Sequence, residues 1–342
     1  MTDTVRGPFV VIGENIHATR VLLRGGARVT SLPDGRPALP FTDDEGAERL
    51  LPVPDAALEG AGEKQKVKHV KAAVLAGLAH GADATLGRGY VRFLARRQAD
   101  AGADYLDLNV DEASSELETR VAAIRWLVGA VESATPAALS IDSSAPEVMR
   151  AGLAAATRTD GAPLLNSASL ERLDVLDLAA AEGCAVVLGA SGEHGMPASA
   201  AERVANATRI VDEATRRGIA PGAMHVDPLV LPVAVEPEVG AWFLEAVRTL
   251  RTTYGPGIHI TGGLSNVSFG LPVRKLLNDV FIDLAAEAGA DSGIIDPVAS
   301  DLRRIFAQDR SSRASALAAD LLTGRDPFGM AFLTAYRAGE LA

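Results

Sequence analysis

The residues best suited to do chemistry in this chain stand at the ends of short apolar runs. YLDLNVDE carries Asp107, Asn109 and Asp111, LSIDSS carries Asp142, Ser143 and Ser144, and LLNSAS carries Asn166, Ser167 and Ser169. Further along, HVDPLVLP carries Asp227, TGGLSNVSFG carries Ser265, Asn266 and Ser268, and GIIDP carries Asp296. A carboxylate accepts two parallel hydrogen bonds from a neighbouring amino and ring N–H pair, and an Asn amide both donates and accepts. A set rich in Asp and Asn and poor in cations suits a neutral heterocycle with such an edge. It does not suit a sugar phosphate, which calls for backbone N–H groups or Arg and Lys. One Asp or Ser after a strand is more often a helix cap; the same chemistry at successive run ends is harder to explain by caps alone.

The elements that must position these residues follow from the apolar runs themselves. Runs at Phe9 to Ile12, Tyr105 to Leu108, Ala138 to Ile141, Pro163 to Leu165, Ala185 to Leu188, Met224 to Val226, Ile258 to Ile260 and Gly293 to Ile295 alternate with helix-period stretches such as ELETRVAAIRWLVGAVES and ERVANATRIVDEATRRG. Eightfold strand–helix alternation predicts an α/β fold with a parallel sheet closed into a (β/α)8 TIM barrel, with a doubly wound open sheet as the alternative. In a barrel the polar run ends converge on one mouth.

The first repeat is interrupted by an insertion spanning about residues 24–80. VTSLPDGRPALPF predicts a β-hairpin, and GEKQKVKHVKAAVLAGLAHG a helix ending at Gly81. TLGRGYVRFLARRQADAG is the expected outer helix after strand one. Because the insertion follows a strand's C-terminal end, it is expected on the catalytic face, as a lid, a partner surface or a dimer contact. The chain from Ala314 onward reads as helix.

Composition sets the bounds. The chain has 342 residues, 48% of them hydrophobic and 4% aromatic, which accommodates a single barrel domain over 1–342. A net charge of −11 argues against a general nucleic-acid binder. Cys184 is the only cysteine, which excludes an internal disulfide and a multi-cysteine zinc site; in AVVLG's company it reads as a buried, inert thiol. No signal-peptide pattern and no apolar run of membrane-spanning length is present, so a cytoplasmic protein without a membrane role is expected.

A pterin ring presents the edge that the Asp and Asn residues suit: an amino group, a ring N–H and a carbonyl side by side. The sequence also resembles the methyltetrahydrofolate:corrinoid methyltransferases, which share a barrel with dihydropteroate synthase and with the folate domain of cobalamin-dependent methionine synthase. IGEN, GADYLDLNVDE, LSIDSSAPEVMRAGL, LLNSASLER, HVDPLVLPV, GLSNVSFGLPVRKLLNDVF and AEAGADSGIIDP carry the resemblance, over residues 11–297. It implies that Asp142 and Asn166 hold the amino–pyrimidine edge and Asp227 the same ring from the opposite side. Glu14 matches the family, Asp107 and Asn109 would line the floor, and Asn266 would reach N5, where the methyl group sits. It also implies tetrahydrofolate or 5-methyltetrahydrofolate as substrate, a corrinoid (cobalamin) on a separate corrinoid-binding protein, no metal on this chain and a homodimer. Asn266, with a proton arriving through water and Asp107, would stabilise N5 as it is protonated.

Two features depart from the family. Its first strand usually reads GERIN where this chain has GENIH, so that Asn15 replaces Arg and His17 replaces Asn. His17, Ser268 and Arg274 are further candidates for ligand contact, Arg274 for the folate's glutamate tail. His194, after strand five, is another. The second departure is the insertion. Both leave open the direction of transfer, including methylation of tetrahydrofolate during demethylation of a small compound. A dihydropteroate synthase would need a lysine-bearing loop after strand seven and Arg-x-His after strand eight, where this chain has GLSNVSFG and GIIDP. A non-catalytic folate-binding module would keep Asp142, Asn166 and Asp227 without needing Asn266.

Overall fold

A computed structural model describes residues 8–157, 161–193 and 195–341. After β1 (Val10–His17) come β2 (Val21–Leu23), β3 (Thr30–Ser31), β4 (Pro37–Thr42), β5 (Glu48–Pro52), β6 (Leu58–Glu59) and β7 (Lys66–Lys68), then helices α1 (His69–Leu78) and α2 (Ala82–Asp100). Strands and helices then alternate: β8 (Tyr105–Asn109), α3 (Leu117–Glu132), β9 (Ala138–Asp142), α4 (Pro146–Ala155), β10 (Leu164–Ala168), α5 (Asp174–Glu182) and β11 (Ala185–Gly189). The pattern continues through α6 (Ala200–Arg216), β12 (Met224–Asp227), α7 (Val239–Tyr254), β13 (His259–Ile260), α8 (Arg274–Ala288) and β14 (Ser292–Ile295). Helices α9 (Leu302–Phe306), α10 (Arg313–Leu322) and α11 (Met330–Arg337) follow.

The large sheet runs in the order β13-β12-β11-β10-β9-β8-β1-β14. From β8 to β13 each strand lies beside the next in sequence, and a parallel bridge from Gly263 to Ile294 brings the chain after β13 against β14. This is the strand order of a nearly closed (β/α)8 barrel, as the sequence predicts. The strands read as apolar runs because both faces are covered; all of β11, AVVLG, is buried. Helices begin where the sequence supplies caps. The Ser199 side chain accepts from the Glu202 N–H at the start of α6, and Pro146 opens α4.

The described residues form two compact units, the first over residues 13–157 and 161–164, the second over residues 8–12, 165–193 and 195–341. In the first, the insertion builds two small antiparallel sheets, β2-β7-β6 and β3-β4-β5. The β3–β4 pair is the hairpin expected from PDG, to which β5 adds a third strand. The β3-β4-β5 sheet lies along α2: the Phe41 ring meets Tyr90 edge-on and packs near Phe93, and Asp44 is paired with both Arg92 and Arg96. The β2-β7-β6 sheet reaches Glu112, just past β8, through Lys68 Nζ at 2.6 Å. Lys66–Lys68, expected within a helix, is a strand instead, because its backbone pairs with β2 on one side and β6 on the other. In the second unit, Phe243 of α7 packs on Phe281 of α8, with ring centroids 5.5 Å apart.

Candidate active site

In the first unit, β8 and β9 are parallel with Asn109 opposite Asp142. Residues two apart share a strand face, so Asp107 and Asn109 project together, as do Ser140 and Asp142. Ser140 Oγ donates to Asp107 Oδ1 at 2.5 Å, and Asn109 Nδ2 donates to Asp142 Oδ2 at 3.0 Å. The Asp111 N–H donates to Asn109 Oδ1 at 2.9 Å, which settles which end of that amide faces Asp142. His17, the last residue of β1, brings Nε2 to 3.1 Å from the same Asp142 oxygen. Its other nitrogen, Nδ1, takes the Thr19 N–H at 3.3 Å and lies 2.7 Å from the Thr19 hydroxyl. Burial opposes charge on this ring. The hydrogen bond and charge of Asp142, helped by Asp107, outweigh burial and nearby Arg20, so the His17 pKa is raised above 6.5.

Glu14 forms an ion pair with Arg20, whose Nε also donates to the Glu14 carbonyl at 3.1 Å. Asp111 holds the turn into α4, accepting from Ser143 Oγ at 2.5 Å and from the Ser144 N–H at 2.7 Å. These contacts bring His17, Asn109 and Asp142 together within one unit, with Asp107 near enough to act on the charge of His17, while the ion pair of Glu14 runs to Arg20.

In the second unit, Asp227 ends β12. It accepts the Leu229 N–H at 2.7 Å and the Gly263 N–H. Burial pushes its pKa up to about 6, against those two hydrogen bonds and the charge of Arg203. Asn266 stands exposed in the 3-10 turn Leu264–Ser268. Its amide nitrogen occupies space beside Gly263: a Cβ at that glycine would lie 2.8 Å from it. Gly263 therefore joins Asp227, through its N–H, to the seat of the Asn266 amide. Ser268 is buried and donates to Asn278 Oδ1 at 2.6 Å. Arg274 donates to Ser268 Oγ at 3.0 Å and to the Ser265 carbonyl at 2.9 Å, with its guanidinium over the Phe269 ring. It braces the Asn266 loop. Asn166 is half-buried in the middle of β10.

Other residues take structural places. Cys184 is buried, and burial pushes its thiol up to about 11. His225 is buried and held neutral, its pKa brought down to about 3 by burial and by His259, on which it stacks at 4.6 Å. His259 is half-buried, with its Nδ1 3.0 Å from Asp291 Oδ2. Asp296 accepts the N–H groups of Val298 and Ala299, a capping role. His194 lies outside the described residues.

Residues 91–296 match the pterin-binding enzyme family. The chain belongs to that family. The matched span contains Asp107, Asn109, Asp142, Asn166, Asp227 and Asn266, while Glu14 and His17 precede it. The chain is 31% identical over 259 residues to a methylcorrinoid:tetrahydrofolate methyltransferase of Eubacterium limosum, covering 74% of this chain and 89% of that protein. It is 31% identical over 217 residues to a methionine synthase of Mycobacterium leprae, covering 59% of this chain and 17% of that much longer protein. In fold it is similar to a dihydropteroate synthase of Xanthomonas albilineans solved with 4-aminobenzoic acid, with a TM-score of 0.52, 23% identity, and coverage of 66% of this chain and 87% of that one.

Sequence reasoning missed Thr19, Arg20 and Gly263, which hold His17, Glu14 and Asn266 respectively. Arg20 was detectable as the one cation close behind Glu14. Nothing in the residue types at positions 19 and 263 announces their roles. Among the described residues, no helix is long and apolar enough to cross a membrane.

Proposed function

We propose that this pterin-binding enzyme moves a methyl group between N5 of a tetrahydrofolate and the cobalt of a corrinoid carried by a separate protein. The observation that carries this reading is the 31% identity to a methylcorrinoid:tetrahydrofolate methyltransferase across 89% of that relative's length. Asp142, Asn166 and Asp227, with Glu14 and Asn109, are assigned to the pterin ring. Asn266 is assigned to N5, and Asp107 to the route of its proton. With methyltetrahydrofolate as donor, the N5–carbon bond breaks, a cobalt–carbon bond forms and N5 ends with a proton. N5 leaves readily only once protonated. A hydrogen bond from N5–H to the Asn266 amide oxygen strengthens as that proton arrives, so it favours the transition state over the ground state. In reverse, the N5 lone pair takes the methyl group and a proton leaves. We assign tetrahydrofolate methylation as the working direction, in line with the relative's name.

The test is turnover in both directions, with methyltetrahydrofolate and reduced cobalamin or with tetrahydrofolate and methylcobalamin, following the cobalamin spectrum. Spectral change in both is expected. Folate binding without it would overturn the reading in favour of a non-catalytic module.

A pH dependence follows from Asp227. Its pKa of about 6 lies above the ordinary 3.8, so the carboxylate is lost as pH falls through about 6. A protonated Asp227 no longer attracts the ring's donors as an anion, so folate affinity is expected to fall below that pH. In Asp227→Asn, affinity at pH 8 should be low and this acid limb absent; an unchanged limb would assign it elsewhere. The same shift makes ionisation of Asp227 oppose folding, a penalty that begins above the unfolded pKa and is complete above about pH 6.

A further inference from the structure

Asp142 does not offer its two oxygens equally. Oδ2 receives His17 Nε2 at 3.1 Å and Asn109 Nδ2 at 3.0 Å, two donors for two lone pairs. Among the described residues no donor is placed on Oδ1.

Both donors are themselves fixed by a backbone amide two residues further on. The Asp111 N–H binds Asn109 Oδ1, turning Nδ2 toward Asp142. The Thr19 N–H binds His17 Nδ1, which makes that nitrogen an acceptor. The neutral ring must then carry its hydrogen on Nε2, where it donates to Asp142. The Thr19 hydroxyl, at 2.7 Å, can add a second donor to Nδ1. His17 and Asp142 are 24% and 23% exposed, so the bond is partly shielded from water yet open to a ligand.

We propose that Thr19 and His17 are positioning residues for Asp142: they occupy one carboxylate oxygen, so that the amino–pyrimidine edge of a folate is gripped by the other alone. The proposal rests on the folate reading above. It gives the His17 departure from the family a function. An Asn at position 17 carries its amide nitrogen no further out than the Nδ1 level of the ring and cannot reach the Nε2 position. A Gln can, because its amide nitrogen overlays Nε2.

The experiment uses the full chain and tetrahydrofolate, with affinity measured by calorimetry at pH 8. His17→Phe, which keeps the ring volume and removes the donor, is expected to weaken binding about tenfold, the scale of one hydrogen bond to a charged group. His17→Gln should bind within about twofold of wild type. In turnover, His17→Phe should raise KM with little change in kcat, since the interaction is present in ground and transition states alike. A readout without ligand is the 15N spectrum of the His17 ring, expected to show hydrogen on Nε2. Equal affinities for wild type and His17→Phe, equal weakening in His17→Phe and His17→Gln, or a neutral His17 ring with its hydrogen on Nδ1 would each overturn the proposal. If wild type binds no tetrahydrofolate, the folate reading itself fails, and the ligand half of the proposal with it. An Nε2–H spectrum in that case localises the failure to the ligand rather than to the Thr19–His17–Asp142 geometry.

Discussion

Asn266→Ala is expected to slow methyl transfer on the order of 10²–10³-fold at saturating folate, the loss seen when one well-placed hydrogen-bonding group aimed at developing charge is removed. Folate affinity should stay near wild type, because Asp142, Asn166 and Asp227 are the residues proposed for the ring and the proposed Asn266 bond strengthens only as N5 is protonated. The effect therefore belongs in kcat rather than KM. The local structure supplies a second, gentler probe. Gly263 has φ −72° and ψ 72°, within reach of an alanine. An added Cβ would meet only the Asn266 amide, its nitrogen at 2.8 Å and its carbon at 3.6 Å. Gly263→Ala thus displaces the Asn266 side chain and keeps the backbone N–H that Asp227 accepts. It should lower kcat in the same direction as Asn266→Ala, by a smaller factor. Full transfer by Asn266→Ala at saturating folate would remove Asn266 from the chemistry.

Much of this arrangement is legible in the sequence, and the exceptions have physical causes. The apolar runs locate the large sheet, yet they underestimate its strands at the polar end. The first apolar run stops at Ile12, whereas β1 continues to His17. The run at Pro163 to Leu165 becomes Leu164–Ala168, with Asn166 inside it. In both cases the strand carries polar side chains past the apolar run that marks it; in β1 the last of them, His17, is bonded to Asp142 of β9. Asp107 and Asn109 show the same rule within β8, one bound to Ser140 and the other to Asp142. Lys66–Lys68 misleads in the opposite sense. Its composition suits a helix, but two flanking strands supply backbone partners, and Lys68 finds Glu59 and Glu112. Strand formation depends on such neighbours more than on intrinsic preference. His17 is conspicuous as a residue type, but its bond to Asp142 spans 125 positions and cannot be read from local pattern.

Gly240→Ala is expected to be the most destabilising single methyl addition among the helices of the second unit. Gly240 lies in the first turn of α7, and a Cβ there would sit 2.0 Å from the carbonyl oxygen of Leu322, at the end of α10. That oxygen belongs to the backbone and cannot swing aside as a side chain would. Relief requires α10 to shift as a body. Its Ala318 and Leu322 are fully buried and Leu321 nearly so, so a shift opens gaps in the core as it removes the clash. Overpacking of this kind costs about 1–3 kcal/mol and more where backbone must move. Gly129→Ala is the matched control. It too is a helical glycine, in α3, but it is exposed and a Cβ there meets nothing within 4 Å. Relief of glycine's backbone freedom should stabilise that variant by roughly 0.5–1 kcal/mol. Thermal unfolding of the two variants should therefore move in opposite directions from wild type. A Gly240→Ala protein that melts with wild type would show that α10 is not seated against α7 as the structure places it.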